Sequence, residues 1–407
     1  MSGTHRAEPR YAPHDPGFVA DPYPAYAVLR AGPRATYHAE TNQWLVPRHA
    51  DVNALLRDRR LGRSYLHVAT HAEMERPDEP ASVEPFWHVI RNGMLDREPP
   101  DHTRLRRLVA RAFTPRYVES LRPQVQRIMD GLVDRVAGAG SFDLIAALAE
   151  PLPVTVIAEL LGIPEADRHL LRPWSADICG MYELDPDEAT AHRAVAAAVE
   201  FSEYLRGLVR ARRERPTPDL IGELVAVVDE GDRLSEDELI GTCVLLLNAG
   251  HEASVNGAGN AWWALFRNPD ELARLRGDRE LIPTAVDELL RYDTPLQMFE
   301  RWVLEEIEVG DVRIGRGQEL ALLFGSANRD PAAFADPDRL DLARDPNPHL
   351  SFGAGIHYCL GAPLARMELA ISFATILERL PGLELEDEPE WKPGYIMRGL
   401  RGLRVRA

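Results

Sequence analysis

Cysteine is scarce in this chain of 407 residues: Cys179, Cys243 and Cys359 are the only three. A set so sparse and odd builds no disulfide framework and fits a reducing compartment. Long apolar runs are missing too. The run at residues 243–247 is far below the roughly 20 residues that cross a bilayer. Residues 1–20 are rich in proline and charge and hold no apolar block of the secretory kind. The expectation is a cytoplasmic protein with no membrane contact. Basic charge falls short of acidic, 47 Lys and Arg against 64 Asp and Glu for a net charge of −17. That balance argues against a nucleic-acid partner, since phosphate backbones are held by accumulated Lys and Arg. No Gly/Ser linker, low-complexity run or internal repeat divides the chain. Residues 1–20 read as a flexible segment and residues 21–407 as a single domain, whose 45% apolar composition supplies a large core.

What is present is mainly helical. Apolar periodicity predicts helices over residues 21–30, 104–113, 117–137, 152–161, 188–213 and 220–228. Ser235-Glu236-Asp237-Glu238 has the form of a capping box, with Ser235 as N-cap and Glu238 reaching back. It opens the longest helix, which runs to about Arg267, where Asn268-Pro269 stops it. A helix of about thirty residues is a rod roughly 45 Å long. Residues 243–258 in its middle carry almost no charge, so it is buried on most sides. Strands are expected within residues 36–46, 300–309, 311–314 and 318–323. Residues 63–100 keep no sustained period. An irregular segment of that length inside a compact protein reads as a substrate-covering region. The fold class is mainly α with a smaller β portion.

The most informative stretch is Phe352-Gly353-Ala354-Gly355-Ile356-His357-Tyr358-Cys359-Leu360-Gly361. It presents one cysteine after a glycine-rich turn and in the first turn of a helix expected over residues 360–380, where backbone N–H groups and the helix dipole favour a thiolate. Gly353 and Gly355 allow unusual backbone conformations, and Gly361 leaves the far side of the sulfur uncrowded. A lone cysteine is otherwise a buried free thiol. The full decapeptide points instead to an iron ligand, because a Cys thiolate is one of the few axial ligands of haem.

At every fixed position this stretch resembles the haem-binding signature of the cytochrome P450 superfamily, Phe-Gly-x-Gly-x-His-x-Cys-x-Gly, and the resemblance extends over nearly the whole chain. It implies a P450 fold with a long central helix over haem b, Cys359 as iron ligand and O2 as co-substrate. His102 and Arg106 stand four apart and share a helix face. By resemblance they hold the haem propionates, together with Arg301 and His357, while Phe352, Gly353, Gly361, Ala249 and Gly250 lie against the haem. Arg104, Arg107 and Arg111 form a second basic face, either simply solvated or a docking site for an acidic electron-transfer protein. Glu288-Leu289-Leu290-Arg291 resembles the family's Glu-x-x-Arg motif, which implies a buried ion network bracing the cysteine loop, with Arg344 as the third member.

Ala249-Gly250-His251-Glu252-Ala253-Ser254 aligns with the family's oxygen-activation motif, Ala-Gly-x-Glu/Asp-Thr-Thr/Ser, and departs from it at Ala253. The usual Thr hydroxyl relays protons to oxygen, and Ala253 has none. Glu252 still provides an acid. Three routes stay open: a substrate hydroxyl replaces the missing group, Ser254 turns inward although one step rotates it about 100° away, or the chemistry tolerates weak proton delivery. Asn248 either orders a water or bonds to backbone in the core. His67, His71 and His88 lack metal spacing and read as loop residues, and Trp262-Trp263 reads as core. Leu296 to Phe299 and Ile396-Met397 match places where family members line the substrate pocket.

The expected activity is a haem-thiolate monooxygenase acting on a small specialised metabolite. Electrons would come from a separate ferredoxin or flavodoxin-like donor with its reductase, since no reductase sequence is fused to the chain. The alternatives are an oxidase forming C–C or C–O bonds and a non-catalytic docking module. Retention of Cys359 and of every propionate candidate speaks against the last.

Overall fold

The helix opened by Ser235 is the axis of the fold. It runs from Glu236 to Arg267, 32 residues, in the computed structural model, which describes residues 10–227 and 232–407. Ser235 Oγ accepts the Glu238 amide at 3.2 Å, and Glu238 Oε2 accepts the Ser235 N–H at 2.9 Å. The capping box thus satisfies two N-terminal donors. Cys243, Val244 and Leu247 are fully buried. Around this central helix pack the helices Pro151–Leu160, Leu171–Cys179, Glu188–Glu214 and Ile282–Tyr292. No helix among the described residues is long and apolar enough to cross a membrane.

The β portion lies to one side. Five short strands form a mixed sheet in the order 36–38, 43–46, 319–322, 299–303, 61–62. Strand Gln43–Val46 runs parallel to Glu319–Leu322, with Leu45 opposite Ala321. Strand Phe299–Val303 pairs antiparallel with Glu319–Leu322 in a register that sets Arg301 opposite Leu320. Alternation along Phe299–Val303 turns Arg301 and Val303 inward while Trp302 stays half-buried. A cation thereby reaches the interior from a strand rather than from a mobile loop.

Several expected boundaries moved. Residues 117–137 form two helices, Pro115–Ser120 and Arg122–Val136. Pro123 lacks the N–H that would bond the Glu119 carbonyl, and its ring collides with that carbonyl, so the helix breaks there. The last helix begins at Ala362, not at Leu360, so Cys359 precedes it and Gly361 is its N-cap residue. Residues 63–100 are mostly irregular but include one helix, Glu84–Ile90, and short 3-10 turns. Of the segment expected to be flexible, residues 1–9 lie outside the described residues, as does residue 228 at the expected end of a helix. Tyr11, Phe18 and Val19 are buried, and Tyr11 and Phe18 meet Tyr395 edge-on or tilted at 5.6 and 5.4 Å.

Candidate active site

Between the central helix, the cysteine loop and strand Phe299–Val303 lies a cavity of about 400 Å³. Its size falls in the range of small-molecule sites. The central helix contributes Asn248, Ala249, Gly250, Ala253, Ser254 and Gly257. A Cβ built at Gly250 would meet nothing closer than Ile157 Cδ1 at 3.5 Å, an ordinary contact. The protein's own packing therefore does not demand glycine there, and the missing Cβ leaves the helix surface open on the cavity.

The opposite wall is the cysteine loop, from which Phe352, Gly353, His357, Cys359 and Gly361 line the same cavity. The Cys359 amide donates to the Phe352 carbonyl at 3.0 Å and closes the loop. Gly355 has φ +71°, and a Cβ there would sit 2.3 Å from the Leu56 carbonyl oxygen, so only glycine fits. Burial pushes the Cys359 thiol above its ordinary pKa, opposed by the amides of Gly361 and Ala362 and by Arg106 and Arg366. The sulfur lies ahead of the helix and is supported by the amides of the N-cap Gly361 and the first helical residue Ala362. A bound cationic metal would complete its ionisation.

Along the edge of the cavity are donors without acceptors. Both ring nitrogens of His102 and Nη2 of Arg301 are buried and make no hydrogen bond. Arg106 Nη2 donates only to the Tyr358 carbonyl, at 2.7 Å. His357 Nε2 lies 3.4 Å from Glu98, and the rings of His102 and His357 are 4.4 Å apart. Burial, then the neighbouring His357 and Arg106, depress His102 to about 4, and burial lowers Arg301 to about 9. Crowded buried N–H donors with too few acceptors are costly alone and are satisfied by carboxylates. These residues fit a porphyrin carrying two propionates beside a single thiolate. Arg104, from the second basic face, is engaged by Glu238 and Asp232.

The loop is braced from behind. Arg291 donates to Glu288 from Nε at 2.7 Å and from Nη2 at 2.8 Å, and Arg344 Nε reaches the same carboxylate at 3.0 and 3.1 Å. Arg291 Nη1 also donates to the carbonyls of Asn328 and Pro337, each at 2.8 Å. Arg344 is therefore the third member of the network, as expected.

On the central helix the expected polar residues separate. Ala253 and Ser254 both line the cavity, whereas Glu252 does not. The step of about 100° between successive residues carries its carboxylate to Lys392, the one lysine of the chain, and to Asn256 Nδ2 at 3.3 Å. Three acids line the cavity instead: Glu300 accepts from Arg63, Glu183 accepts the amides of Tyr395, Ile396 and Met397, and Glu368, from helix Ala362–Arg379, is 6% exposed and has no such partner. Burial alone pushes it up to about 8. Its sequence signal was a lone carboxylate on the inner face of an otherwise apolar helix. Leu296, Met298, Phe299, Ile396 and Met397 also line the cavity, as do Arg63, Trp87, Met94 and Leu95 from the irregular segment. His71 is occupied by the Tyr65 hydroxyl at 2.7 Å, and Trp262 is buried.

The Glu368 shift has a measurable consequence. The folded chain holds that proton up to pH about 8, while the unfolded chain releases it near 4.5. Stability is therefore lost as pH rises across that window, with a slope of at most about 1.4 kcal/mol per pH unit from this group. Glu319, also raised to about 8 by burial, adds the same trend to any variant. Urea midpoints at pH 5 and pH 8 should therefore fall more in the wild type than in Glu368→Gln, and equal falls would refute the assignment.

A solitary thiol backed by amides, facing a helix opened by glycine and bordered by unpartnered imidazole and guanidinium nitrogens, is the working arrangement of a haem-thiolate oxidoreductase. The chain belongs to the cytochrome P450 family, which it matches over residues 181–394. It is 42% identical over 399 residues to the cytochrome P450 monooxygenase PikC of Streptomyces venezuelae, covering 96% of this chain and 92% of that protein. To nocardicin C N-oxygenase of Nocardia uniformis subsp. tsuyamanensis it is 42% identical over 403 residues, 97% of each. Among solved structures, P450BioI in complex with hexadec-9Z-enoic acid-ligated acyl carrier protein matches with a TM-score of 0.90 at 36% identity, over 96% of this chain and 99% of that one. The chain is an enzyme of the monooxygenase type, and its family works with haem iron, O2 and redox partners.

Proposed function

We propose that the chain inserts one oxygen atom from O2 into a C–H or C=C bond of a small, largely apolar specialised metabolite, with haem b as cofactor. The observation that supports this most directly is that Cys359, Gly250 and the orphaned donors His102 and Arg301 all line one cavity. When bound, haem supplies the redox centre at which O2 is activated. Cys359 would ligate its iron through Sγ. His102, Arg106, Arg301 and His357 would hold the propionates through charge-assisted hydrogen bonds, and Ala249, Gly250, Phe352, Gly353 and Gly361 would enclose the ring. Residues 21–407 would act as one catalytic domain in the cytoplasm, receiving electrons from a ferredoxin or flavodoxin-like donor with its reductase.

Proton supply follows from the same walls. Glu368, raised to about 8, keeps a proton at neutral pH, and Ser254 lines the cavity it faces. Where Ala253 lacks a hydroxyl, a substrate hydroxyl or the water it holds would carry the proton onward. Glu252, held by Lys392 and Asn256, would orient the helix from outside the cavity. A second reading, an oxidase forming C–C or C–O bonds, is favoured by the same Ala253, since coupling chemistry tolerates weaker proton delivery.

Carbon monoxide separates these readings from a chain that binds no haem. The reduced wild type should show the strongly red-shifted Soret band of thiolate-ligated haem, and Cys359→Ser should lose that band while keeping its fold by circular dichroism. A purified wild type that takes up no haem would overturn both enzymatic readings.

A further inference from the structure

Asn248 sits on the cavity side of the central helix and is 3% exposed. Neither its Oδ1 nor its Nδ2 makes a hydrogen bond. The backbone partner that would make it an ordinary core asparagine is absent. A buried amide with both its donor and its acceptor unmet is a destabilising feature, and natural cores rarely keep one without use. The hydroxyl of Tyr182 lies beside it without reaching a hydrogen bond of regular geometry, and Asp96 and Arg63 are within electrostatic reach of that hydroxyl.

Charge decides which kind of group fits this end of the cavity. The Arg63 guanidinium donates to Glu300 at 3.1 Å and to Asp96 at 3.3 Å, and it lies over the Phe299 ring at 4.6 Å. Its cationic charge is already met. An incoming carboxylate would face Asp96 and Glu300, and an incoming ammonium would have to displace Arg63. A neutral group meets neither obstacle. Beyond this cluster Glu183 is already taken up by the amides of Tyr395, Ile396 and Met397, and the wall is mostly carbon, from Ile157, Met181, Leu245, Leu246, Ile396 and Met397.

We infer that Asn248 anchors the substrate by a paired hydrogen bond, so that the substrate is an apolar molecule carrying a neutral group with both donor and acceptor, an amide or a hydroxyl. The inference rests on reading this cavity as the substrate pocket and adds the chemistry it selects. A site whose buried polar atoms wait for a partner rejects analogues that lack one, because those atoms then stay unpaired. Asn248 is thus a specificity-determining residue. It places the molecule about one and a half turns from Ala253, where a substrate hydroxyl would be needed.

The test uses the haem-loaded protein and three probes of one chain length: decanamide, 1-decanol and decyl methyl ether, which only accepts. Dissociation constants are read by calorimetry, which needs no spectral shift, while the ferrous–carbon monoxide band reports the haem separately. Decanamide or 1-decanol should bind the wild type and weaken at least tenfold in Asn248→Leu, with the ether changing less than twofold. Which of the two weakens distinguishes amide from hydroxyl recognition. Asn248→Leu should also melt at a higher temperature, since the unmet amide is gone. Asn248→Ala serves as the second variant should the larger side chain disturb the helix. Donor-bearing probes that bind both variants as tightly as the wild type, or that do not bind the wild type at all, would overturn the inference. A missing carbon monoxide band alongside the expected binding pattern would instead overturn the monooxygenase reading and leave the anchor in place.

Discussion

Glu288→Ala should cost the chain about 3–5 kcal/mol of stability, the loss expected when one partner of a buried ion network is removed. Glu288 and Arg291 are both fully buried. The carboxylate also accepts the Asp341 amide at 2.9 Å and Asn347 Nδ2 at 3.2 Å. Its removal leaves the fully buried Arg291 guanidinium without its carboxylate and takes the same partner from Arg344, which is 10% exposed. The segment they brace leads into the cysteine loop, where Asn328 Oδ1 accepts the Leu350 amide at 2.7 Å and Ser351 Oγ donates to the Leu290 carbonyl at 2.8 Å. Haem retention should therefore fall in the same variant. A contrast fixes the scale: Arg122→Ala breaks an exposed pair with Glu119 and should change stability by less than about 1 kcal/mol. Urea unfolding of both variants decides the matter, and a Glu288→Ala loss no larger than that of Arg122→Ala would remove the brace from the account.

The second large effect concerns protons. Glu368→Gln should lower product formed per reducing equivalent, with the chemical rate falling by about 10²-fold, the low end for loss of a positioned acid. Substrate affinity should hardly move, since the variant keeps the size and hydrogen-bonding shape of the side chain. Ala253→Thr is the complementary experiment. If a substrate hydroxyl stands in for the missing side chain, analogues lacking that hydroxyl should uncouple the native enzyme, releasing peroxide in place of product. They should uncouple Ala253→Thr far less. Equal coupling of native enzyme and Ala253→Thr with the truncated analogue would refute substrate assistance, and undiminished coupling in Glu368→Gln would take that carboxyl out of the relay. The two failures are independent, because one concerns the gap on the central helix and the other a group on the helix after Cys359.

Much of this site is legible in the primary structure because its signals are local. The capping box at Ser235 needs only residues three apart, and the charge-free middle of the helix it opens is a matter of composition. The cysteine loop is a run of ten neighbours, and His102 with Arg106 follows from helical spacing. The Glu288–Arg291 pair is local as well, while Arg344 was reached through resemblance and not through periodicity. The two-helix break at Pro123 was equally open to reading and was missed because the apolar period continues across it.

The rest was decided by long-range packing. One helical step separates Ala253, which lines the cavity, from Glu252, which is drawn to Lys392 about 140 residues further on. Periodicity cannot say which of two adjacent positions lines a cavity and which meets a distant cation. Glu368 reads in sequence as one of two carboxylates on its helix, and only its enclosure by other elements, which raises it to about 8, makes it a proton holder. Asn248 could order a water or bond to backbone, and the fold gives its side chain no backbone partner. The sequence determined by itself the thiol loop, the long helix and the family of the protein, because each is encoded in neighbouring residues. Tertiary structure alone decided that Glu368 faces the cavity while Glu252 turns to Lys392, and that Asn248 lines the cavity without a hydrogen-bond partner, because these depend on groups that meet only after the chain has folded.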